Sequence, residues 1–286
     1  MRVSVLGLGA MGARMAKRLL DAGHAVTVYN RSPGRDDALA AAGAARAGSP
    51  REAAAGAELV IGMVRDDEAS RAIWCDADDG ALGGMRSGTV AVAASTLTPG
   101  WVGELAAAAS AADVRFLEAP VVGTRPHADA GQLVVLAGGD LETLEVARPA
   151  LEAYAGAIKH LGPIGAGATM KLVVNTLFAT QVAAYGEALG VLAKAGVPAA
   201  TAAERLKGLP ITSPALQRVL GLMAEGAFSP NFPVHLVAKD LRYAAAAAEA
   251  VGADAPLTRA AGAVYARAEG EGHGDIDVSG IATLFT

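Results

Sequence analysis

The chain opens with a short β-rich run, Arg2–Leu6, that leads directly into Gly7-Leu8-Gly9-Ala10-Met11-Gly12. These six residues match G-x-G-x-x-G, a turn whose glycines let the backbone approach a pyrophosphate while a helix N-terminus supplies amide donors. An amphipathic helical pattern follows the turn, and a second β-rich run, Ala25–Tyr29, follows that helix. This strand–turn–helix–strand context predicts a dinucleotide-binding turn formed by residues 7–12.

Short β-rich runs continue to alternate with alanine-rich helical stretches through the first part of the chain. The further runs are Leu59–Met63, Val90–Ala93, Arg115–Glu118 and Leu133–Ala137. Repeated strand–helix units predict a mainly parallel, doubly wound sheet of the Rossmann type. The predicted fold class of this part is therefore α/β.

The strand signal disappears after Pro163. The stretch from Ala166 to about Ala195 has no proline and is almost continuously apolar, so we predict one long buried helix that also contributes to a subunit contact. Helical segments separated by glycine- and proline-containing turns make up the remainder. The pattern predicts a dinucleotide-binding domain at residues 1–163 and an all-α substrate and dimerisation domain at residues 164–286, joined by the long interdomain helix.

The composition excludes several classes of protein. Hydrophobic residues make up 52% and charged residues 19% of the chain, which is enough apolar material for an ordered core. The net charge of −5 provides no basic field for nucleic acid. The longest uncharged run, Leu172–Gly186, is shorter than the ~20 residues needed to span a bilayer. We therefore expect a soluble protein without nucleic-acid or membrane partners.

Cys75 is the only cysteine, so the chain has no internal disulfide and no cysteine-based zinc site, as is typical of a cytoplasmic protein. The acidic groups at residues 66–68 and 76–79 have the pattern of a helix start and of a polar loop. His160, His235 and His273 show no close metal-ligand spacing. We expect no metal site.

The end of the second strand bears on which nicotinamide cofactor is bound. NAD sites usually place Asp or Glu there to accept a hydrogen bond from the ribose 2′-hydroxyl, whereas this chain has Asn30-Arg31-Ser32. A guanidinium pairs with a 2′-phosphate in a bidentate way, and a carboxylate would repel that phosphate. The three residues favour NADP(H) over NAD(H). The alternative is that Arg31 is a solvated turn residue.

Lys171 stands out because it lies within the apolar helix. Asn175 follows it by four residues, which places both side chains on one helix face. An ammonium beside a carbonyl oxygen can donate a proton as hydride arrives, and a neighbouring amide can hold the substrate or the lysine in place. The alternative is a lysine whose stem snorkels along the apolar helix.

Other motifs occur in a fixed order along the chain. They are Ala94-Ser95-Thr96 before Pro99, Glu118-Ala119-Pro120-Val121-Val122-Gly123-Thr124, Gly165-Ala166-Gly167, Phe232 before Lys239-Asp240-Leu241, and Gly274-Asp275. Together with the glycine turn and the Lys171–Asn175 pair, these motifs resemble the β-hydroxyacid dehydrogenase family over essentially the whole chain.

The resemblance implies roles for particular residues. Lys171 is expected to be the catalytic acid/base and Asn175 to assist it. The loop at Val122, Gly123 and Thr124 is expected to hold the substrate carboxylate. Phe232 is assigned to the same substrate. Cofactor contacts outside residues 7–12 and 30–32 are expected at Val64, Thr96 and Lys239. Members of this family are typically homodimers or homotetramers with the active site between the domains.

The substrate loop departs from the family pattern. The family usually has Ser-Gly-Gly or Ser-Gly-Ser where this chain has Val122-Gly123-Thr124, so the serine hydroxyl is missing. Backbone donors at Gly123 and Thr124 remain available to a carboxylate. Arg125 is a candidate replacement for the missing donor, although an arginine before proline in a loop is more often solvated.

These observations lead to an NADP-dependent oxidoreductase that moves hydride between nicotinamide and a small β-hydroxyacid, semialdehyde or 2-oxo acid. An imine reductase of related architecture is an alternative, although such enzymes usually carry Asp or Tyr where Lys171 stands. A non-catalytic NADPH-binding or scaffold module is a second alternative. Such a module would tend to lose the lysine.

Overall fold

The computed structural model describes residues 1–285, which form two compact units. The first unit is Met1–Lys171, and the second begins at Leu172. The boundary between them lies inside a long helix, whereas the sequence-based division at residue 163 falls just before that helix.

The first unit contains nine strands. They are β1 Arg2–Leu6, β2 Ala25–Tyr29, β3 Ala45–Arg46, β4 Leu59–Gly62, β5 Val90–Ala93, β6 Arg115–Glu118, β7 Val121–Val122, β8 Leu133–Gly139 and β9 Ala155–His160. Their order is β3-β2-β1-β4-β5-β6-β8-β7, and β9 also pairs with β8. Neighbours from β3 to β6 are parallel, while β8 runs antiparallel to β6 and β7. The predicted Rossmann-type, mainly parallel sheet is confirmed.

Seven helices accompany these strands. They are α1 Gly12–Asp21, α2 Asp37–Ala41, α3 Pro50–Ala54, α4 Asp67–Cys75, α5 Pro99–Ala111, α6 Arg125–Asp129 and α7 Leu141–Leu151. The side chains of Ser49, Asp66, Thr98 and Asp140 each accept an amide hydrogen bond at the start of a helix, which fixes where α3, α4, α5 and α7 begin. The prediction that residues 66–68 begin a helix is confirmed.

Apolar side chains cover both faces of the sheet. On β1, Val3 and Val5 belong to a buried cluster that includes Met15 and Leu19 of α1. Leu6 belongs to a second cluster on which Trp74 and Trp101 pack. Because alternate residues of a strand point to opposite faces, a sheet covered on both sides requires continuous apolar runs such as Leu59-Val60-Ile61 of β4.

Three strands are missing from the sequence-based prediction. β3 and β7 have two residues each, which is too short for an alternation pattern. β9 reads AGAIKH and is half-exposed, so its glycine, lysine and histidine conceal the strand. Short or exposed strands carry little of the apolar signal on which such predictions depend.

The helix α8, Ala166–Lys194, confirms the predicted long helix and continues into the second unit. The prediction that this helix is buried is not met within the single chain, because Val173, Leu177 and Val191 are exposed. The second unit adds α9 Ala199–Lys207, α10 Pro214–Glu225, α11 Val234–Ala250 and α12 Pro256–Gly270. Its core includes Leu189, Leu220 and Tyr265, and the Tyr265 hydroxyl donates to the Ala179 carbonyl at 3.0 Å. Among residues 1–285, no helix has both the length and the apolarity required to cross a bilayer.

Candidate active site

The predicted cofactor residues of the first unit lie at one edge of the sheet. The turn at residues 7–12 follows β1, residues 30–32 follow β2, Val64 lies just after β4, and Thr96 lies just after β5. The strands β2, β1, β4 and β5 are parallel neighbours, so their carboxyl ends meet at the same edge. Ligands of open α/β sheets bind at this edge.

The three motif glycines have different surroundings. Gly7 has φ +96°, and a Cβ there would overlap the Met63 carbonyl oxygen. A Cβ on Gly12 would overlap the Gly7 carbonyl oxygen, so α1 packs closely against the end of β1. Gly9 is exposed, and a Cβ there would meet no atom within 4 Å. Two glycines therefore serve packing, and the third leaves space in which a pyrophosphate can reach the backbone.

Part of the start of α1 is available to a ligand: the Ala13 amide donates to the Gly9 carbonyl at 3.2 Å, while no side chain caps the other first amides. Met11 is the N-cap residue, and its side chain makes no capping hydrogen bond. An uncapped helix N-terminus offers amide donors and a positive dipole end to an anion. The turn therefore fits a dinucleotide pyrophosphate.

Asn30 holds the glycine turn in place. Its Oδ1 accepts from the Leu8 amide at 2.8 Å, and its Nδ2 donates to the Ser32 carbonyl at 2.9 Å. This contact with Leu8 does not follow from the sequence pattern. Arg31 is exposed and makes no hydrogen bond or ion pair with any residue that the structure describes.

Ser95 joins the ends of β4 and β5. Its Oγ accepts from the Val64 amide at 2.8 Å and lies 3.3 Å from the Gly62 carbonyl oxygen, to which it donates. Val64 and Thr96 are both half-buried. A hydroxyl between two strand ends fixes the spacing of the two loops that carry these residues.

Part of the predicted substrate loop already makes hydrogen bonds with a nearby residue of the chain. The Thr124 amide donates to His127 Nδ1 at 3.2 Å, and Thr124 Oγ1 lies 2.9 Å from the same nitrogen. The Thr124 amide therefore already has an acceptor in His127 at the start of α6, and a substrate carboxylate would have to take the place of that nitrogen. Gly123 has φ +138°, a conformation that favours glycine.

Arg125 has a buried N–H group. Its Nε is inaccessible to solvent and has no hydrogen-bond partner among residues 1–285. A buried guanidinium N–H without an acceptor is costly, while Arg125 as a whole is only half-buried.

Glu118 is a buried carboxylate for which the sequence suggested no role. Its Oε1 accepts from the amides of Gly165 and Gly167 at 2.7 and 2.9 Å, and its Oε2 accepts from Ala168 at 2.9 Å. Burial raises the pKa of this carboxyl, and the three amide donors partly offset the effect. The signal that could have revealed it is an acid that ends the strand after the two apolar residues Phe116 and Leu117, directly before the substrate loop.

A second polar cluster lies within the second unit. Asn175 Nδ2 donates to Asp240 Oδ2 at 2.5 Å, and Lys239 Nζ lies 3.0 Å from Asp240 Oδ1. All three residues are buried. Oδ1 has no directed hydrogen bond among the described residues, so the contact with Lys239 is an ion pair. Asp240 is a polar partner of Asn175 that sequence reasoning missed, and its only sequence signal is its position beside Lys239.

The remaining predicted residues lie close to these clusters in the chain. Lys171 is half-buried on α8, one turn before Asn175. The Phe232 amide donates to Asp277 Oδ2 at 3.1 Å, and its ring packs against the core of the second unit. Within residues 1–285, no group of three or more acidic, histidine or cysteine side chains is arranged to hold a metal ion.

The chain is similar to known proteins over its whole length. The family model for the NAD binding domain of 6-phosphogluconate dehydrogenase matches residues 2–162. The model for the NAD-binding region of NADP-dependent 3-hydroxyisobutyrate dehydrogenase matches residues 165–285.

Three individual proteins illustrate this similarity. An NAD-dependent L-serine dehydrogenase from Pseudomonas aeruginosa is 34% identical, covering 99% of this chain and 97% of its own. Glyoxylate/succinic semialdehyde reductase 2 of Arabidopsis thaliana is 33% identical, covering 98% of this chain and 78% of its own. The structure of Mycobacterium tuberculosis 3-hydroxyisobutyrate dehydrogenase with L-serine has a TM-score of 0.88 at 34% identity, covering 99% of this chain and 98% of its own.

The buried pair of Lys239 and Asp240 gives a stability prediction. Asp240→Asn keeps an acceptor for Asn175 but removes the anion beside Lys239. We expect a loss of about 3 to 5 kcal/mol in the free energy of unfolding, measured by urea denaturation at neutral pH. The matched control is Asp21→Asn, which breaks an exposed ion pair with Lys17 and should cost less than about 1 kcal/mol. Equal losses of unfolding free energy in the two variants would contradict the prediction that breaking the buried pair costs more than breaking the exposed one.

Proposed function

The chain belongs to the β-hydroxyacid dehydrogenase family of oxidoreductases, and we propose that it reduces a small semialdehyde or 2-oxo acid with NADPH, or runs the reverse oxidation. The observation that carries the proposal is the pairing of an uncapped glycine turn at the sheet edge with Lys171 one helical turn before Asn175. When bound, the nicotinamide supplies the hydride.

Residues 7–12 would hold the cofactor pyrophosphate through the open backbone at Gly9 and the N-terminus of α1. Val64 and Thr96, at the neighbouring strand ends, are proposed to line the same site, and Lys239 is proposed to lie beside the cofactor. Asn30 acts through Leu8 by keeping the turn in shape. Its neutral side chain also leaves no carboxylate at the ribose.

Arg31 supports NADP(H) over NAD(H). It is exposed at the end of β2 and has no protein anion to neutralise it among the described residues. A guanidinium in that position can pair with a 2′-phosphate. The Pseudomonas relative is named NAD-dependent, so the preference for NADPH rests on Arg31 and its neighbours in this chain.

Lys171 is the proposed proton donor. In the reductive direction its ammonium gives a proton to the carbonyl oxygen as negative charge develops there, and in the oxidative direction its amine removes the hydroxyl proton. Asn175 has one amide proton directed to Asp240, which fixes the orientation of its side chain. The asparagine can then hold the lysine or the substrate oxygen in a set position.

The substrate is proposed to carry a carboxylate. Arg125 has a buried N–H without a partner, and Val122 lacks the hydroxyl that the family usually has. An anionic group near Arg125 would pair with the accessible part of this half-buried residue and replace the missing contact. Val122, Gly123, Thr124 and Phe232 are the other proposed substrate contacts.

Self-association is proposed to use one side of α8. Met170, Val173 and Leu177 are exposed by 42%, 47% and 60%, and their spacing places them on neighbouring positions of one helix face. An exposed apolar stripe on a soluble domain commonly marks an interaction surface.

The proposed function is tested by measuring the reaction with the wild type and with a variant at Lys171. Lys171→Met should lower kcat for NADPH oxidation by glyoxylate or succinic semialdehyde by the ~10²- to 10⁴-fold typical of losing a general acid. NADPH affinity, measured by fluorescence titration, should stay close to that of the wild type. The reason is that the pyrophosphate site lies at residues 7–12 and the 2′-phosphate site at Arg31.

Lys194→Met is the matched control, since Lys194 is an exposed lysine near the other end of the same helix. It should leave kcat unchanged. An uncharged aldehyde of similar size should react poorly with the wild type. A folded, NADPH-binding Lys171→Met variant with normal kcat would refute the proposed mechanism.

Arg31→Ala tests the cofactor preference. The wild type should favour NADPH in kcat/KM, and the variant should lose roughly 10- to 100-fold of that preference, as expected for about 1.5 to 3 kcal/mol of charge-assisted contact. Arg86→Ala serves as control, because Arg86 is exposed before β5, at the amino end of that strand. An unchanged NADPH/NADH ratio in Arg31→Ala would show that another residue selects the cofactor.

Light scattering after size exclusion tests self-association. We expect a dimer or tetramer at micromolar concentration and a shift towards monomer in Leu177→Lys, because a charge would enter an apolar contact. Leu257→Lys changes a leucine on α12 that is even more exposed than Leu177, and it should leave the mass unaltered. A monomeric wild type would refute the proposed self-association.

A further inference from the structure

We propose that Glu118 is a positioning residue of the active site, which sets the first turn of α8, and with it Lys171, relative to the substrate loop. This inference rests on the proposed function, because it takes Lys171 as the proton donor and the loop after Glu118 as the carboxylate site. Glu118 is the last residue of β6, and the loop at residues 119–124 begins directly after it.

The side chain of Glu118 binds the start of α8 from a distance along the chain. Its two oxygens accept three amides, those of Gly165, Gly167 and Ala168, at 2.7 to 2.9 Å. A helix usually begins on a local Ser, Thr, Asp or Asn that satisfies one amide. The residues before α8 are Ile164 and Gly165, which offer no such side chain. The place where α8 begins is therefore set by a residue of the sheet.

Two glycines make room for this carboxylate. A Cβ on Gly138 of β8 would overlap Glu118 Oε1. A Cβ on Gly167 of α8 would overlap the Leu136 carbonyl oxygen and would lie 3.2 Å from Glu118 Cδ. Glycine inside a strand weakens it, and such a position often marks the close approach of another group. At Gly138 the group that approaches is the Glu118 carboxylate.

Burying the Glu118 carboxylate costs free energy, which indicates that the site requires the geometry this carboxylate provides. Glu118 is fully shielded from solvent, and its raised pKa reflects the cost of burying a carboxylate. An apolar residue with a local N-cap would hold a helix end without that cost. The carboxylate adds a defined geometry, because two oxygens and three amides fix both the position and the rotation of the first turn.

Lys171 is close enough to the start of α8 for Glu118 to affect its position. It follows Ala168 by three residues, so about one helical turn separates it from the last amide that Glu118 accepts. The backbone of Glu118 meanwhile starts the loop. One residue thus connects the proposed proton donor to the proposed carboxylate site, and a misplacement of about 1 Å between such groups can cost up to 10²-fold in rate.

The test is a double-mutant cycle between Glu118 and Gly138. Gly138→Ala displaces the carboxylate, and Glu118→Ala removes it. We expect each variant to lower kcat per bound NADPH by about 10- to 100-fold, with NADPH affinity unchanged. The double variant should be no slower than Glu118→Ala alone, because Gly138→Ala has no carboxylate left to displace. Gly103→Ala, at an open helix position, is the control and should behave as the wild type.

Glu118→Gln provides a variant of the same size in case the alanine variants fold poorly. It should fold and bind NADPH while kcat falls, since an amide cannot accept all three hydrogen bonds. The proposal would be overturned if the effects of Glu118→Ala and Gly138→Ala on kcat multiplied in the double variant. A normal kcat per bound NADPH in folded Glu118→Gln would overturn it as well. Lys171→Met is measured alongside. If it is inactive while Glu118→Gln is normal, only the positioning role is wrong; if Lys171→Met keeps kcat, the proposed function fails and this role with it.

Discussion

Helix α1 packs so closely against the end of β1 that a Cβ on Gly12 would overlap the Gly7 carbonyl oxygen. This close approach brings the N-terminus of α1 to the carboxyl edge of the sheet, beside the ends of β2, β4 and β5. The proposed cofactor residues of the first unit all depend on that edge. A larger side chain at either glycine would separate the helix from the strand and remove the turn on which the proposed site is built.

The N-terminal amides of α1 and α8 differ in whether a side chain accepts their hydrogen bonds. Both helices begin with amides that lack acceptors within the helix. At α1 no side chain caps them, and apart from the Ala13 amide, which donates to the Gly9 carbonyl, the donors remain for an anion. At α8 the Glu118 carboxylate accepts three of them. One helix end is left open for a ligand, while the other is anchored to the sheet and holds the proposed proton donor.

Much of the fold could be predicted because its signals are local. The glycine turn, the longer strands and the proline-free run of α8 each lie within one continuous stretch of sequence. The polar contacts of the candidate site are not local. Asn175 and Asp240 are 65 residues apart, and Glu118 meets Gly165 across 47 residues. The pairing of Thr124 with His127 was missed for another reason, since histidine is an uncommon acceptor at a helix start.

The proposed reaction is hydride transfer from NADPH to a small acid that carries a carbonyl group. Its most direct test uses NADPH with deuterium at both C4 positions, incubated with the wild-type protein and glyoxylate or succinic semialdehyde. Mass spectrometry of the product should find a hydroxyacid with one deuterium on the former carbonyl carbon. A hydroxyacid without deuterium, or no conversion of either acid by folded protein that binds NADPH, would contradict the claim.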